Sequence, residues 1–256
     1  MIESQQRAAI IMAAGKGTRM KDPSKAKVMY EILGKPMLHY VLQLTEELSL
    51  DRVVVVVGYQ KDAVLEYVKT AHPSVRSVVQ EPQLGTGHAI MQAERPLSDF
   101  RGCVLVLSGD VPLLTKESIQ ALIAYHDQTG ARATILTAEM SDPSGYGRII
   151  RGRDGTVSTI VEHRDATPEE LKVREINSGI YVFEKESLFD ALKHIKDDNV
   201  QHEYYLTDVF HYFDSRDWKV AGLKAGNIDE IRGINNVAQL EEARKVMEAR
   251  LQRRAF

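Results

Sequence analysis

The chain has 256 residues, a single cysteine and a formal net charge of −3 at pH 7, which allow a large core but give no overall attraction to nucleic acid or to an anionic membrane. The lone Cys103 excludes an intrachain disulfide and a cysteine metal cluster. No run approaches the ~20 apolar residues of a membrane helix, and residues 1–7 lack the apolar core of a signal peptide, so we expect a cytoplasmic protein that binds neither nucleic acid nor a membrane.

The first half of the chain alternates apolar runs of strand length with segments of helical periodicity. Strands are predicted at 8–14, 53–57, 75–80, 103–107 and 133–139, and helices at 36–49, 62–68, 87–94 and 115–129. The strand that begins at Val53 consists of five consecutive valines, and such uninterrupted apolar strands are typical of a sheet covered on both faces. The pattern predicts an α/β fold in which a mostly parallel, mixed sheet carries helices on both faces.

The second half is richer in β-structure and less regular. Strands are predicted at 148–151, 157–161, 180–183 and 220–225, and helices at 185–193 and 206–214. A charged amphipathic helix is predicted at 236–254, with Val237, Leu240, Ala243, Met247 and Leu251 on its apolar side. Because the sequence contains no internal repeat or clear linker, we expect one continuous domain over residues 1–235, followed by this helix up to residue 256.

Three polar loops follow predicted strands at the carboxyl ends, where ligands of parallel α/β sheets bind. The first contains Gly15, Gly17 and Arg19, the second covers residues 80–87, and the third is Ser108-Gly109-Asp110. In the first loop the glycines let backbone N–H groups approach an anion, and Arg19 offers a planar donor suited to phosphate. The spacing of a Walker A loop or of a dinucleotide fingerprint is absent, and a plain tight turn is an equal alternative for this loop alone.

Individual residues in the other two loops allow more than one interpretation. Asp110 beside a glycine suits a hard cation such as Mg²⁺, although an isolated Gly-Asp more often caps a turn. Gln80 can bind a base edge or satisfy backbone groups. The segment Gly85-Thr86-Gly87 precedes a helix and offers further backbone donors. By itself, His88 is better explained as a surface or core histidine than as a ligand.

Together with further motifs, these loops follow one another in a characteristic order. The motifs are Gly-Lys-Gly-Thr-Arg-Met at 15–20, Lys27, Gly-Lys-Pro-Met at 34–37, Gln-Leu-Gly-Thr-Gly-His-Ala at 83–89, Gly-Asp-Val-Pro at 109–112, Gly-Tyr-Gly-Arg at 145–148, Val-Glu-His at 161–163, Glu-Ile-Asn-Ser-Gly-Ile at 175–180, Glu-Tyr-Tyr-Leu-Thr-Asp at 203–208 and Gly-Ile-Asn-Asn at 233–236. Over residues 8–240 the chain resembles the sugar-1-phosphate nucleotidyltransferase family. Within that family it most resembles the uridylyltransferase domain of the bacterial bifunctional enzymes that make UDP-N-acetylglucosamine. The resemblance implies the Rossmann-like fold of nucleotide-diphospho-sugar transferases.

The resemblance also implies a role for each matching residue. Residues implied to bind the nucleotide are Met12, Ala13, Ala14, Gly15, Gln80, Gly85, Thr86, Ser108 and Gly109, of which Gln80, Gly85 and Thr86 contact uracil. Residues implied to contact the sugar and its phosphate are Gly147, Glu162, Asn177, Tyr205 and Thr207. Arg19, Lys27 and Asp110 are implied to be catalytic, with Arg19 and Lys27 on the phosphates. Asp110 and Asn235 are implied to bind a catalytic Mg²⁺.

Three features depart from the family pattern. One extra residue separates Met20 from Lys27, so Lys25 competes with Lys27 for the role of the phosphate-binding lysine. His202 occupies the position of a glycine, and its bulk is expected to affect the loop on the sugar side. No counterpart of the hexapeptide-repeat acetyltransferase domain follows the last helix.

The implied activity is Mg²⁺-dependent uridylyl transfer from UTP to N-acetylglucosamine-1-phosphate, which gives pyrophosphate and a cell wall precursor. The attacking phosphate oxygen is already ionised at neutral pH, so the chemistry requires in-line positioning and charge neutralisation rather than a general base. Glucose-1-phosphate or another hexosamine phosphate is an alternative acceptor. A nucleotide-sugar-binding regulator without turnover is an alternative of another class. The sequence does not determine the oligomeric state, and both a monomer and a dimer are compatible with it.

Overall fold

The protein is built around one nine-stranded sheet in the computed structural model, which describes residues 6–17, 19–20 and 22–254. The strands, including a two-stranded hairpin outside the sheet, are β1 (Arg7–Ala13), β2 (Glu31–Ile32), β3 (Lys35–Pro36), β4 (Arg52–Val57), β5 (Arg76–Val79), β6 (Cys103–Ser108), β7 (Ala133–Glu139), β8 (Arg148–Arg151), β9 (Val157–Val161), β10 (Glu175–Glu184) and β11 (Val220–Lys224). The helices are α1 (Met37–Glu47), α2 (Lys61–Ala71), α3 (Thr86–Met91), α4 (Lys116–Thr129), α5 (Lys185–Leu192), α6 (Val209–Ser215) and α7 (Val237–Arg254).

The main path of the sheet has the strand order β11-β7-β10-β6-β1-β4-β5. Strands β6, β1, β4 and β5 are parallel neighbours, and β11 is parallel to β7. Strand β10 is antiparallel to both β6 and β7, so it alone runs against the other strands of this path. Strand β8 pairs with β10 and β9 beside this path. The predicted mostly parallel, mixed sheet is confirmed.

Apolar side chains pack on both faces of the sheet. Successive residues of a strand point to opposite faces, and Ile10 and Ile11 of β1 accordingly belong to different core clusters. The cluster around Ile10 includes residues of α3, α5 and α6, whereas the cluster around Ile11 includes residues of α1, α2 and α4. The predicted covering of both faces by helices is therefore confirmed. The loops that follow β1 and β6 meet at the carboxyl ends of these strands, beside the start of α3.

Helix α7 packs on a third, smaller cluster together with the β2–β3 hairpin. Of its predicted apolar side, Ala243 is buried, and Leu240 and Met247 are partly buried against this cluster. The prediction is wrong for Val237 and Leu251, which are 37% and 56% exposed. The cluster is short and does not extend under either end of the helix. None of the described helices has both the length and the apolar composition to cross a bilayer.

The largest differences from the predicted elements lie in β10 and in the hairpin. Strand β10 begins at Glu175 rather than at 180, and its register with β7 shifts between Asn177 and Tyr181. Gly179 has a φ of +77° in this irregular segment, a conformation that a residue with a Cβ rarely adopts. The hairpin was not predicted because its strands have only two residues each. The predicted helix at 206–214 begins as a 3₁₀ turn and becomes α-helical at Val209.

Candidate active site

A cleft of about 470 Å³ opens where β1 and β6 end. Its walls contain eight of the nine residues expected to bind the nucleotide, namely Met12, Ala13, Ala14, Gly15, Gln80, Gly85, Thr86 and Ser108. The ninth, Gly109, packs beneath the cleft, where its N–H donates to the Met12 carbonyl at 2.9 Å. A Cβ at this position would lie 3.2 Å from the Val28 side chain and 3.3 Å from that of Leu38. Gly109 thus lets β1 and the loop after β6 approach each other.

The glycine loop after β1 closes against Lys27. Gly17 has a φ of +60°, and a Cβ there would lie only 2.6 Å from Lys27 Cβ. A larger residue would therefore push the loop away from the lysine stem. The preceding loop residue, Ala14, accepts a hydrogen bond from the Tyr59 N–H at 3.1 Å. Thr18 of the same motif lies outside the described residues.

Four charged or polar residues from distant parts of the chain meet at one side of the cleft. The Lys27 ammonium forms an ion pair with Asp110 Oδ2 and donates to Asn235 Oδ1 at 2.8 Å. The same Asn235 oxygen accepts from Arg19 Nη2 at 3.2 Å. The Ile234 N–H donates to the Asp110 carbonyl at 2.9 Å, which ties the two loops together. All four residues were predicted to bind phosphates or the metal.

Lys25, the alternative to Lys27, lies apart from this group. Its side chain is 39% exposed, and its ammonium is 3.8 Å from Glu31 Oε1 and 5.4 Å from the centre of the Tyr30 ring. The Lys27 side chain is 13% exposed and lines the cleft. The geometry therefore favours Lys27 as the lysine that meets a ligand in this cleft.

Asp110 and Asn235 carry oxygen donors of the kind that Mg²⁺ takes. Both oxygens already contact one cationic group, the Lys27 ammonium, so a positive charge fits between them. Among the described residues, no group of three or more His, Cys, Asp and Glu side chains is arranged to hold a metal by itself. Mg²⁺ often binds to one or two protein oxygens plus substrate phosphates, and this donor set fits that mode.

The residues expected to contact uracil are held by backbone groups on both sides. Gln80 is 3% exposed, and its Nε2 donates to the Gly85 carbonyl at 2.9 Å. Gly85 has a φ of +109°, and a Cβ there would lie 2.6 Å from the Tyr204 carbonyl oxygen. Thr86 Oγ1 accepts from the Leu206 N–H at 2.9 Å. The loop is thereby fixed against the segment that follows residue 203.

The five residues expected to bind the sugar lie close to one another, but outside the walls of this cleft. A Cβ at Gly147 would lie 3.4 Å from Asn177 Cβ and 3.5 Å from Glu162 Oε1. Thr207 donates to Glu162 at 3.1 Å. Burial raises the pKa of Glu162, although the hydrogen bond from Thr207 opposes this effect. Tyr205 and Glu162 line a second cavity, of about 480 Å³.

His202, expected to affect the loop on the sugar side, has a backbone conformation that residues with a Cβ rarely adopt. Its φ is +52°, in the left-handed region, and its side chain is exposed. The ring is not among the residues that line the cleft or the second cavity. His202 thus strains the backbone locally, and its ring does not form part of the walls of either cavity.

Three polar residues of the cleft wall were not predicted from the sequence: Lys16, Gln83 and Glu203. Each lies within a quoted motif, so the motif located it while nothing in the local pattern gave it a role. The place of Gln83 in the cleft wall depends on the fold, since its side chain packs against Gly58, where an added Cβ would lie only 2.8 Å from Gln83 Nε2.

The chain is similar to several known proteins. The family model described as "Nucleotidyl transferase" matches residues 8–227. Two relatives, each named "Bifunctional protein GlmU", come from Halalkalibacterium halodurans (45% identical, 96% of this chain, 53% of the relative) and Exiguobacterium sibiricum (47% identical, 94% of this chain, 53% of the relative). The chain thus spans about half the length of these relatives. A solved UDP-glucose pyrophosphorylase complexed with UDP-glucose has the same fold, with a TM-score of 0.77 at 19% identity, over 96% of this chain and 99% of that one.

Proposed function

Because the chain belongs to the nucleotidyl transferase family, we propose that it transfers the uridylyl group of UTP to N-acetylglucosamine-1-phosphate and releases pyrophosphate. The observation that carries the proposal is the contact of Lys27 with both Asp110 and Asn235 beside a nucleotide-sized cleft. Arg19 adjoins the same asparagine oxygen. Cations and oxygen donors in this arrangement suit a reaction in which charge develops on phosphate oxygens.

The chain's own residues have two tasks in this reaction. The first is to hold the acceptor phosphate in line with the α-phosphate of UTP, which replaces an unfavourable encounter by a bound geometry. The second is to neutralise charge on the α-phosphate and on the departing pyrophosphate, for which Lys27 and Arg19 supply N–H donors. The attacking phosphate oxygen carries its charge at neutral pH and requires no base.

Asp110 and Asn235 would hold Mg²⁺ through a carboxylate and an amide oxygen. When bound, the ion would supply further neutralisation of the phosphate charges. Lys27 contacts the same two oxygens, and its ammonium would donate to the phosphates of a nucleotide bound in the cleft. A regulator without turnover would need no such set of paired charges, which argues for an enzyme.

The acceptor is the finer part of the proposal. The resemblance of the motifs at 145–148, 161–163 and 175–180 to uridylyltransferases of the UDP-N-acetylglucosamine branch favours the N-acetylated sugar. Gly147 leaves space beside Asn177 and Glu162, whose polar groups can bond sugar hydroxyls. Glucose-1-phosphate is the competing acceptor, because a UDP-glucose pyrophosphorylase has the same fold.

The test is pyrophosphate release with UTP, CTP or ATP and with each of the two sugar phosphates, in the presence and absence of Mg²⁺. We expect the highest kcat/KM with UTP and N-acetylglucosamine-1-phosphate, and no turnover without a divalent cation. An additional methyl and amide in a fitted pocket should give about 10–200-fold discrimination. Equal or higher kcat/KM with glucose-1-phosphate would refute the assigned acceptor, and no release with any pair would refute the transferase.

A further inference from the structure

The orientation of the Gln80 amide is fixed by two neighbours. Its nitrogen, Nε2, lies 2.9 Å from the Gly85 carbonyl oxygen and 3.1 Å from His88 Nδ1. A carbonyl oxygen can only accept a hydrogen bond, so the nitrogen end of the amide must face Gly85. The Gln80 oxygen accepts no hydrogen bond from any residue that the structure describes. Because Gln80 lines the cleft, this oxygen is the atom it offers to a ligand.

His88 must then accept a hydrogen bond at Nδ1, which requires the neutral ring with its proton on Nε2. Burial lowers the pKa of His88, which favours the neutral form. On the other side of the ring, Gln92 Nε2 lies 3.2 Å from His88 Nε2 and donates to the His88 carbonyl at 3.0 Å. The ring can accept from only one of the two amides.

The buried Gln80 amide, rather than the Gln92 amide, is the donor to the His88 ring. Gln80 is 3% exposed, and within the described part of the chain its Nε2 contacts only the Gly85 carbonyl and His88 Nδ1. Gln92 is only half-buried, and His88 also borders a separate cavity of about 590 Å³. Water on that side can accept hydrogen bonds from the His88 Nε2–H and from the second N–H of Gln92. An unpaired N–H on the buried Gln80 amide, in contrast, would cost free energy. Nδ1 is therefore the accepting nitrogen.

An amide oxygen that faces the cleft without a hydrogen-bond donor can distinguish uracil from cytosine. Uracil presents an N–H at N3, which can donate to the oxygen, whereas cytosine presents a lone pair at N3. Two acceptors that face each other in a buried site leave both groups unpaired, and sites built on hydrogen bonds reject such ligands strongly. If the Gln80 amide could rotate by about 180°, its nitrogen would face the cleft, and the preference for uracil over cytosine would weaken or reverse.

We propose that His88 is a positioning residue, which accepts the second N–H of the Gln80 amide and thereby makes the cleft select uracil over cytosine. This inference rests on the proposed use of UTP. It predicts that loss of the acceptor at Nδ1 changes which base is chosen, beyond any general loss of activity. A purely structural role of His88 would lower activity with both nucleotides alike.

The experiment compares kcat/KM for UTP and CTP in the unchanged chain and in a matched set of variants. His88→Gln loses the acceptor near Nδ1 while keeping a polar side chain, and His88→Leu loses all polarity. Both are expected to lower the UTP/CTP ratio by about tenfold or more. His88→Asn can place its Oδ1 near the Nδ1 position and is expected to keep the ratio within about threefold. Gln92→Met removes the contact at His88 Nε2 and the hydrogen bond to the His88 carbonyl, but not the acceptor at Nδ1, and should leave the ratio unchanged.

Unchanged ratios in His88→Gln and His88→Leu would overturn the proposal, as would an equal change in Gln92→Met. If the apolar variant His88→Leu fails to fold, the pair His88→Asn and His88→Gln still tests the proposal, since they differ in where the acceptor lies. The proposed function fails separately, when the unchanged chain releases no pyrophosphate. In that case calorimetric binding of UTP and CTP to the same variants decides the role of His88, and a binding ratio insensitive to His88 overturns it.

Discussion

Replacement of Lys27 by methionine is expected to lower kcat/KM for UTP by about 10²–10³, the usual loss for one electrostatic contact to a transition state. The Lys27 side chain is 13% exposed, so little water is available to replace its charge. Methionine keeps most of the stem that packs under Gly17. Removal of one partner costs about 3–5 kcal/mol for a fully buried ion pair and about 0–1 for an exposed one. Because Asp110 is 23% exposed, we expect Lys27→Met to lower the free energy of unfolding by about 1–2 kcal/mol. A typical domain has a free energy of unfolding of about 5–15 kcal/mol, so the variant should remain folded.

Lys25→Met provides the matched control, two residues away on the same loop. The Lys25 side chain is 39% exposed and its ammonium is 3.8 Å from Glu31 Oε1, and a surface change of this kind usually alters the free energy of unfolding by about 0.5 kcal/mol or less. Pyrophosphate release at varied UTP, with thermal unfolding of each variant, separates activity from folding. An equal or greater loss in Lys25→Met would show that the lysine of this loop has been assigned wrongly.

Three further changes test the site and its support. Asp110→Asn should lower kcat by about 10²–10³ with little change in thermal unfolding, and near-normal turnover at saturating Mg²⁺ would contradict its role. Burial raises the pKa of Glu175, but hydrogen bonds from Arg151 and Thr137 outweigh burial and hold it below the ordinary 4.5. This carboxylate therefore stabilises the fold above pH 4.5 and loses that contribution as pH falls through its folded-state pKa. Glu175→Gln should therefore unfold at a lower temperature than the unchanged chain at neutral pH, and the difference should disappear as the pH falls below the folded-state pKa of Glu175. His202→Gly should leave the free energy of unfolding unchanged or raise it by up to about 1 kcal/mol in denaturant titration, because relief of the left-handed backbone exceeds the entropic cost of glycine, and a clear loss would show that the ring makes a stabilising contact.

The parallel half of the fold was predictable because its strands are buried on both faces. Strand β4 was placed to within one residue from its five valines, and β6 to within one residue from Cys103 and the apolar run after it. The antiparallel strand β10 was predicted only in part. Its first half carries Asn177 and Gly179 in an irregular register, and a shift of this kind depends on the neighbouring strands rather than on local propensity.

The candidate site likewise has features that were predictable from the sequence and features that depend on the fold. Family resemblance identified Lys27 and Asn235, but only the fold shows that these residues, 208 positions apart, share a hydrogen bond. Local sequence gave His88 no role, because its contact with Gln80 depends on how helix α3 packs beside β5. The residues implied to contact the sugar are neighbours in the fold, whereas their separation from the walls of the nucleotide cleft was not predictable from their spacing.

Helix α7 belongs to the physical support of the site, although the sequence suggested a division at residue 235. The Asn235 N–H donates to Gln239 Oε1, in the first turn of the helix, at 2.7 Å. The preceding Ile234 is 2% exposed and packs in the same cluster as Ala243, and burial of such a side chain is worth about 1.5–3 kcal/mol. The Ile234 N–H also donates to the Asp110 carbonyl. Packing of α7 on the β2–β3 hairpin therefore fixes the backbone that presents the Asn235 oxygen to Lys27, so the helix and the candidate metal ligands form one energetic unit.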